Sequence, residues 1–364
     1  MTASPLPETT QGRLLLYCLR AALGLESAEL LFGRLCPADW AGVARLASMH
    51  HLAPLLHFLF QTSGSTKPPA FVMDGWQQIR QDQAENLERK WTQLAQVLAA
   101  LREQGLDVMV LKGAALAATI YDDRALRSFG DCDLLVPREA LVEAEAVLGR
   151  LGYEPLERWA AQKDYFLENV YHAIPYGEKT ANTVIELHWN LLMPAWLDLK
   201  AGVFWERARP ASIAGVDVRV LSPEDWVFHL AIHTSLLHQY TVKLRDFYDL
   251  RLVLERLSAE MNWEHLIALT RRHGLGKCVG LPLLLAQQML GAWVEDQMIT
   301  ALGCDLSDRC LSDLLQDYVL RSPLGDVLST LRVRREEDAR AGDYTAMLAT
   351  IRDSNQSRAF PLPR

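Results

Sequence analysis

The sequence predicts an α+β protein in which a small mixed β-sheet in the middle of the chain is flanked by N-terminal and C-terminal α-helical regions. Three observations predict it. Residues 1 to about 104, and again from about 223 onward, carry apolar residues at three- and four-residue intervals, the pattern of helices with one buried face. Residues 105 to 222 alternate short β-prone apolar runs with helical stretches. Inside that middle part, Asp131 and Asp133 stand two apart at the start of one such run. The expected divisions are therefore 1–104, 105–222 and 223–364.

A chain of 364 residues is long enough for a well-buried core and for two or three structural units. Half of its residues are hydrophobic and 23% are charged, an ordinary globular composition. No apolar run approaches the ~20 residues of a membrane-spanning helix. The start, MTASPLPETTQGR, lacks the basic end and apolar core of a secretory signal, so a cytoplasmic location is expected. Cys18, Cys36, Cys132, Cys278, Cys304 and Cys310 are scattered without zinc-site spacing and read as reduced thiols. The net charge of −8 weighs against a broad nucleic-acid surface but leaves room for a local basic cleft.

Taken in order, LPETTQGRLLLYCLRAALG and PADWAGVARLASMHHLAPLLHFLFQ read as helices, Thr62 to Ala70 as a loop, and Trp76 to Gln104 as a long helix ended by Gly105. His50 and His51 are adjacent, so they do not share a helix face, and they read as core or surface residues. Strands are expected at Asp107 to Leu111, Asp133 to Val136, Thr183 to Leu187 and Val216 to Leu221, with a helix over Arg138 to Leu151. Ser222-Pro223-Glu224-Asp225 is a helix start, with a capping serine and acids in the first turn. His229 and His233 have a zinc-like spacing but lack the metalloprotease glutamate, which favours a packed, partly polar face. Further helices are expected over Val242 to Leu257, Trp263 to His273 and Leu281 to Trp293. A solvated charged helix over Arg332 to Arg340 and an extended or disordered tail from Asp353 to Arg364 follow.

The chemistry lies in strand alternation. Asp131 and Asp133 point to the same face of a strand, with roughly 7 Å between their α-carbons. Carboxylates at the start of an apolar strand need compensation, and a hard divalent cation such as Mg²⁺ supplies it through carboxylate oxygens. Glu186 stands between apolar residues in a second β-prone run, Thr183 to Trp189. Alone it reads equally well as an outward-facing residue of an edge strand; beside the aspartate pair it reads as a third ligand.

Three motifs, LKGAALAATIY, RSFGDCDLLV and IELHWNLL, span residues 108 to 190. Together they resemble the nucleotidyltransferase superfamily of DNA polymerase beta, and more closely a bacterial nucleotidyltransferase-like family known mainly as uncharacterised. The resemblance implies a nucleotidyltransferase core in which Asp131, Asp133 and Glu186 hold two Mg²⁺ (or Mn²⁺) ions. It implies transfer of a nucleoside monophosphate from an NTP such as ATP to a hydroxyl or phosphate acceptor, with release of pyrophosphate. Gly113 and Ala114 would offer backbone N–H groups to the triphosphate, with Lys112 as a phosphate ligand. The superfamily turn is usually Gly-Ser or Gly-Gly, whereas here it is Lys112-Gly113, and Asp131 follows Gly113 at a longer interval than usual.

Arg127 reads either as a triphosphate clamp or as an ion-pair partner of Asp122, Asp123 or the site aspartates. His188 reads as a phosphate contact or as a group orienting Glu186. Tyr121 reads as a base-stacking ring or, more readily, as a core aromatic, and Arg124 as a loop surface residue. The family shows a helix like Val242 to Leu257, often with an aspartate at the Asp249 position, which makes Lys243 and Arg245 candidate nucleotide or acceptor contacts. The acidic composition favours a small-molecule or peptide/protein acceptor over RNA, and no membrane partner is expected. Two alternatives stay open: a nucleotide-binding or partner-binding protein of weak or no activity on the same fold, and a scaffold whose acidic strands are held by arginines.

Overall fold

A computed structural model describes residues 8–156, 172–178, 183–192, 199–304, 316, 319 and 320. Seven strands form one mixed sheet: β1 (Met109–Val110), β2 (Asp131–Leu135), β3 (Tyr153–Pro155), β4 (Ala173–Glu178), β5 (Val184–His188), β6 (Arg209–Ile213) and β7 (Val216–Val220). Their order is β3-β4-β5-β2-β1-β7-β6. β2 runs parallel to β5 and antiparallel to β1, and β1 runs parallel to β7. The β6–β7 hairpin turns through Ala214 and Gly215, both at positive φ (52° and 79°), the two-residue geometry that matches the twist of its strands.

The four expected strands are present, and three more accompany them. β4 carries Pro175 and Gly177, and β6 carries Pro210, residues that weaken a strand signal. For β6 the structural reason is plain: it is an edge strand, where a missing N–H costs nothing.

Helices cover the sheet on both sides in sequence. Before it come α1 (Glu8–Ala22), α2 (Glu29–Phe32), α3 (Pro37–Met49), α4 (Ala53–Thr62) and the 34-residue α5 (Ala70–Glu103). Within it lie α6 (Lys112–Thr119), α7 (Leu141–Arg150) and α8 (Gly202–Trp205). After it come α9 (Pro223–Ile232), which continues into a π-helical turn at His233–Leu237, then α10 (Leu244–Leu257), α11 (Trp263–Arg272), α12 (Gly276–Leu290) and α13 (Asp296–Ala301). α10 starts at Leu244 rather than Val242, because the Asp246 carboxylate accepts from the Lys243 N–H at 2.9 Å and caps the helix there. α12 stops at Leu290 because Gly291 takes the left-handed conformation, φ 65°.

One hydrophobic core runs from Leu14 to Leu320 through all three stretches of the chain. Aromatic contacts tie its N-terminal part together, with Phe32 edge-on to Trp40 at 4.8 Å and Phe60 stacked on Trp76 at 6.4 Å. Among the described residues no helix is long and apolar enough to cross a membrane. Cys18, Cys36, Cys132, Cys278 and Cys304 are free thiols. Cys310, the charged stretch Arg332 to Arg340 and the tail from Asp353 lie outside the described residues.

His50, at the end of α3, joins the N-terminal helices to α10. Its Nδ1 accepts the Leu244 N–H at 3.0 Å, and its ring is fully buried. Burial pushes its pKa down to about 4. A histidine whose folded-state pKa lies below its unfolded value is protonated more readily when unfolded. Its contribution to stability is therefore complete above about pH 6.5 and is lost as pH falls toward 4, by up to about 3 kcal/mol. His50→Asn keeps an acceptor but does not titrate, and its stability is expected to fall less than wild type between pH 7 and 4.5. Urea unfolding at both pH values measures this; equal losses in the two proteins would rule out His50 as the source.

Candidate active site

The parallel register of β2 and β5 sets Asp133 opposite Glu186. Strand alternation sends Cys132 into the core and leaves Asp131 exposed at the strand's start. Asp133 is itself only 1% exposed, so its charge must be compensated where it stands. Lys112 Nζ lies 2.6 Å from Asp133 Oδ1 and 3.6 Å from Glu186 Oε2. His188 Nε2 reaches the same two oxygens at 3.0 and 3.1 Å.

The electrostatics follow from these contacts. Burial alone would raise the Asp133 pKa, but the Lys112 ammonium and the His188 bond outweigh it and hold the carboxyl below its usual range. Glu186 is carried far lower, with the His188 bond and charge and the Lys112 charge overcoming its burial. Burial opposes the charged form of Lys112, yet Asp133 and Glu186 raise its pKa above the ordinary lysine value. Asp131 moves the other way, raised first by the neighbouring Asp133 charge.

Lys112 is the first residue of α6 and sits at φ 44°, in the left-handed region that disfavours side chains. Leu111, just before it, donates its N–H to Asp133 O at 2.9 Å and fixes the turn to β2. Gly113 is required by close approach, since an added Cβ would lie 2.8 Å from Phe129 Cβ and 3.3 Å from Arg127 Nη1.

The segment Arg127–Gly130 is held by cations from three directions. Lys90, from α5, donates to the carbonyls of Phe129 (2.7 Å) and Gly130 (3.0 Å). Arg245, from α10, donates to Ser128 O at 2.8 Å. Arg127 turns back to Ser128 O at 2.7 Å and grips Asp249, with Nε 2.9 Å from both carboxylate oxygens and Nη2 2.8 Å from Oδ2. The ion-pair reading of Arg127 thus has Asp249 as its partner, not Asp122, Asp123 or the site aspartates. Asp122 pairs with Arg256 and Asp123 with Arg80. Tyr121 is a buried aromatic whose hydroxyl donates to Asp249 Oδ1 at 2.6 Å. Arg124 is exposed, paired with Glu88 and stacked over Trp91.

These groups open onto a cleft of about 610 Å³. Lys112, Gly113, Asp131, Asp133 and Glu186 form one wall, and Arg127, Lys243 and Arg245 line it as well. Arg245 Nε is buried without a hydrogen-bond partner. Ala114 is buried in α6, away from the cleft lining, and His188 lies behind the carboxylates, 1% exposed. The facing wall comes from the end of α9 and the π-turn, where His233 Nε2 and His238 Nε2 stand 3.1 Å apart. Among the described residues, Asp133, Glu186 and His188 are the group whose ligand atoms lie within 4.8 Å of one another, and Asp131 stands apart from it at the rim.

Lys90 and the meeting of His233 with His238 were not legible as site features. Lys90 reads as one cation among many on a polar helix. The HxxxH spacing joins His229 to His233, whose rings meet edge-on at 6.3 Å, and the π-turn brings His233 also to a residue five positions on.

A turn into a helix N-terminus, carboxylates on two neighbouring strands and cations among the cleft lining are the groups that phosphoryl-transfer chemistry uses. The chain belongs to the uncharacterised nucleotidyltransferase family, whose model matches residues 37–291. No curated relative matches the sequence. Among solved structures, the antibiotic-resistance factor ANT(2'')-Ia in solution is 22% identical, over 51% of this chain and 93% of its own, with a TM-score of 0.38. The crystal structure of ANT(2'')-Ia with adenylyl-2''-tobramycin is 20% identical over 47% and 90%, TM-score 0.36. An antigenic nucleotidyltransferase-like protein from Paracoccidioides brasiliensis is 14% identical over 53% and 92%, TM-score 0.32.

The Arg127–Asp249 pair is buried on both sides, so removing one member leaves the other's charge uncompensated. Asp249→Ala is expected to cost about 3–5 kcal/mol in urea unfolding. Tyr121→Phe, which removes one bond to a charged partner, should cost roughly 1.5–3 kcal/mol. Wild-type stability in Asp249→Ala would show that the pair does not hold the segment.

Proposed function

We propose that the protein is a metal-dependent nucleotidyltransferase, moving a nucleoside monophosphate from an NTP such as ATP to a hydroxyl or phosphate acceptor and releasing pyrophosphate. The observation that carries this reading is the Asp133–Glu186 pair on adjacent strands, with Asp131 at the rim of the same cleft. Family membership supports it independently.

The donor set fits a hard divalent cation. Asp131, Asp133 and Glu186 offer carboxylate oxygens, the ligands that Mg²⁺ and Mn²⁺ take. When bound, such an ion polarises the phosphoryl group and lowers the pKa of the attacking hydroxyl. The resemblance implies two ions, and the position of Lys112 bears on their number.

The remaining roles belong to the chain's own residues. The first turn of α6, at Lys112 and Gly113, presents the helix N-terminus to the cleft, where the triphosphate would sit. Lys243 and the unpartnered Nε of Arg245 supply positive charge to the phosphates. Arg127, with its guanidinium spent on Asp249 and Ser128 O, braces the segment leading into β2 rather than clamping phosphate. His188 orients Asp133 and Glu186 from behind. The confined cleft and the acidic chain favour a small-molecule or peptide acceptor over RNA. An NTP donor accords with a cytoplasmic site of action.

One observation favours the second reading, a nucleotide-binding protein with little turnover: the Lys112 ammonium already lies against both Asp133 and Glu186 and offsets one of their two charges. A panel of NTPs with Mg²⁺ or Mn²⁺, read as pyrophosphate release or self-labelling, separates the two. Asp131→Asn, at the exposed rim, should lose at least about 100-fold in transfer while melting at the wild-type temperature. Metal-dependent transfer surviving in an Asp131→Asn/Asp133→Asn double variant would overturn the enzyme reading. NTP binding by calorimetry without pyrophosphate release would establish the second.

A further inference from the structure

We propose that Lys112 is the built-in cation of the Asp133–Glu186 pair, so that the working site takes one divalent ion, held at Asp131 and Asp133 with the nucleotide, rather than two. The inference rests on the nucleotidyltransferase reading and narrows its metal requirement.

The same two oxygens, Asp133 Oδ1 and Glu186 Oε2, are each reached by both the Lys112 ammonium and the His188 imidazole. An ion bridging the two carboxylates would need these oxygens. It would also stand against a fixed positive charge 2.6 Å from one of these oxygens and 3.6 Å from the other. Lys112 is not a surface lysine that happens to lean inward. Its side chain is 19% exposed, and it leaves from a backbone position at φ 44° directly after the Leu111–Asp133 backbone bond. A side chain in that conformation persists only where its surroundings hold it, and here the hold is the carboxylate pair.

Withdrawing the lysine would also strip the buried Asp133 of its shortest contact. Two carboxylates and one ammonium leave a single negative charge at the inner position, and His188 hydrogen-bonds the same oxygens. The inner position is therefore satisfied with no ion present.

Asp131 is in the opposite condition. It is exposed at the mouth of the cleft, and among the described residues no lysine, arginine or histidine lies within ion-pair distance of it. The second oxygen of Asp133 is outside the Lys112 and His188 contacts. These outer oxygens, with those of a bound triphosphate, are the donors left for a metal. Lys112 then supplies at the inner position the positive charge that a second ion supplies in a two-ion site.

The test counts manganese in the full chain. Mn²⁺ bound in the presence of a non-hydrolysable ATP analogue is read by electron paramagnetic resonance, in which two ions bridged by a carboxylate give a spin-coupled spectrum. Wild type is expected to hold one Mn²⁺ per chain with an uncoupled signal. Lys112→Met, which keeps an unbranched side chain one atom shorter and removes its charge, should gain a second Mn²⁺ and the coupled signal, while Lys112→Arg stays at one. A coupled pair in wild type overturns the inference and leaves the transferase reading intact. A single ion in a folded Lys112→Met also overturns it. Nucleotide bound with no Mn²⁺ in any variant overturns both. Should Lys112→Met fail to fold, the wild-type count decides: one uncoupled ion supports the inference and two sink it.

Discussion

A carboxylate kept ionised at 1% exposure is the constraint around which this fold is arranged. Asp133 is tolerable in the sheet because a lysine arrives from the turn before α6 and a histidine from the neighbouring strand, both aimed at one oxygen. The parallel register of β2 and β5 follows the same demand, since a slip of one residue would turn Glu186 and His188 to the other face. Gly113 lets α6 approach Phe129 closely enough for its first residue to reach the carboxylates. Strand register, helix start and glycine placement thus serve one electrostatic arrangement.

A second layer explains why so much helix surrounds so small a sheet. The segment leading into β2 has no regular partner of its own at Ser128–Gly130, and its carbonyls are held by Lys90 from α5, by Arg245 from α10 and by Arg127 within the segment. Asp249 of α10 completes the brace by neutralising Arg127. The flanking helices therefore deliver the charges that fix the entry to β2, and with it the direction in which Asp131 and Asp133 face the cleft. Lys243 and Arg245 line that cleft from the start of the same α10. The helix that steadies the aspartates also supplies the cationic side of the cleft.

What was legible in the sequence divides along physical lines. β1, β2, β5 and β7 announce themselves through short apolar runs, and the isolated charges Asp131, Asp133 and Glu186 are conspicuous because charge in such runs is costly. β4 and β6 are hidden by Pro175, Gly177 and Pro210, whose suitability depends on strand neighbours the sequence does not reveal. The partner of Arg127 lies 122 residues away, and the nearby Asp122 and Asp123 are the more natural guesses. The histidines of α9 and the π-turn show what periodicity misses when helix geometry changes. Regular spacing brings the His229 and His233 rings edge-on at 6.3 Å, and the π-turn, closed by His238 N–H to His233 O at 3.0 Å, adds His238 as a second neighbour of His233.

The departure of the turn from the resembling superfamily takes on a physical meaning in this light. A turn that carries backbone at φ 44° into a helix N-terminus is most easily made by glycine. Lysine in that conformation is strained and needs something to offset the strain. The contact with Asp133, 2.6 Å long and buried on the carboxylate side, provides it, because a charge-assisted bond is among the strongest a side chain makes. The unusual Lys112 and the compensated carboxylates are therefore one feature rather than two. A glycine at position 112 would relieve the backbone and at the same time leave Asp133 and Glu186 dependent on His188 and whatever cation the solvent supplies.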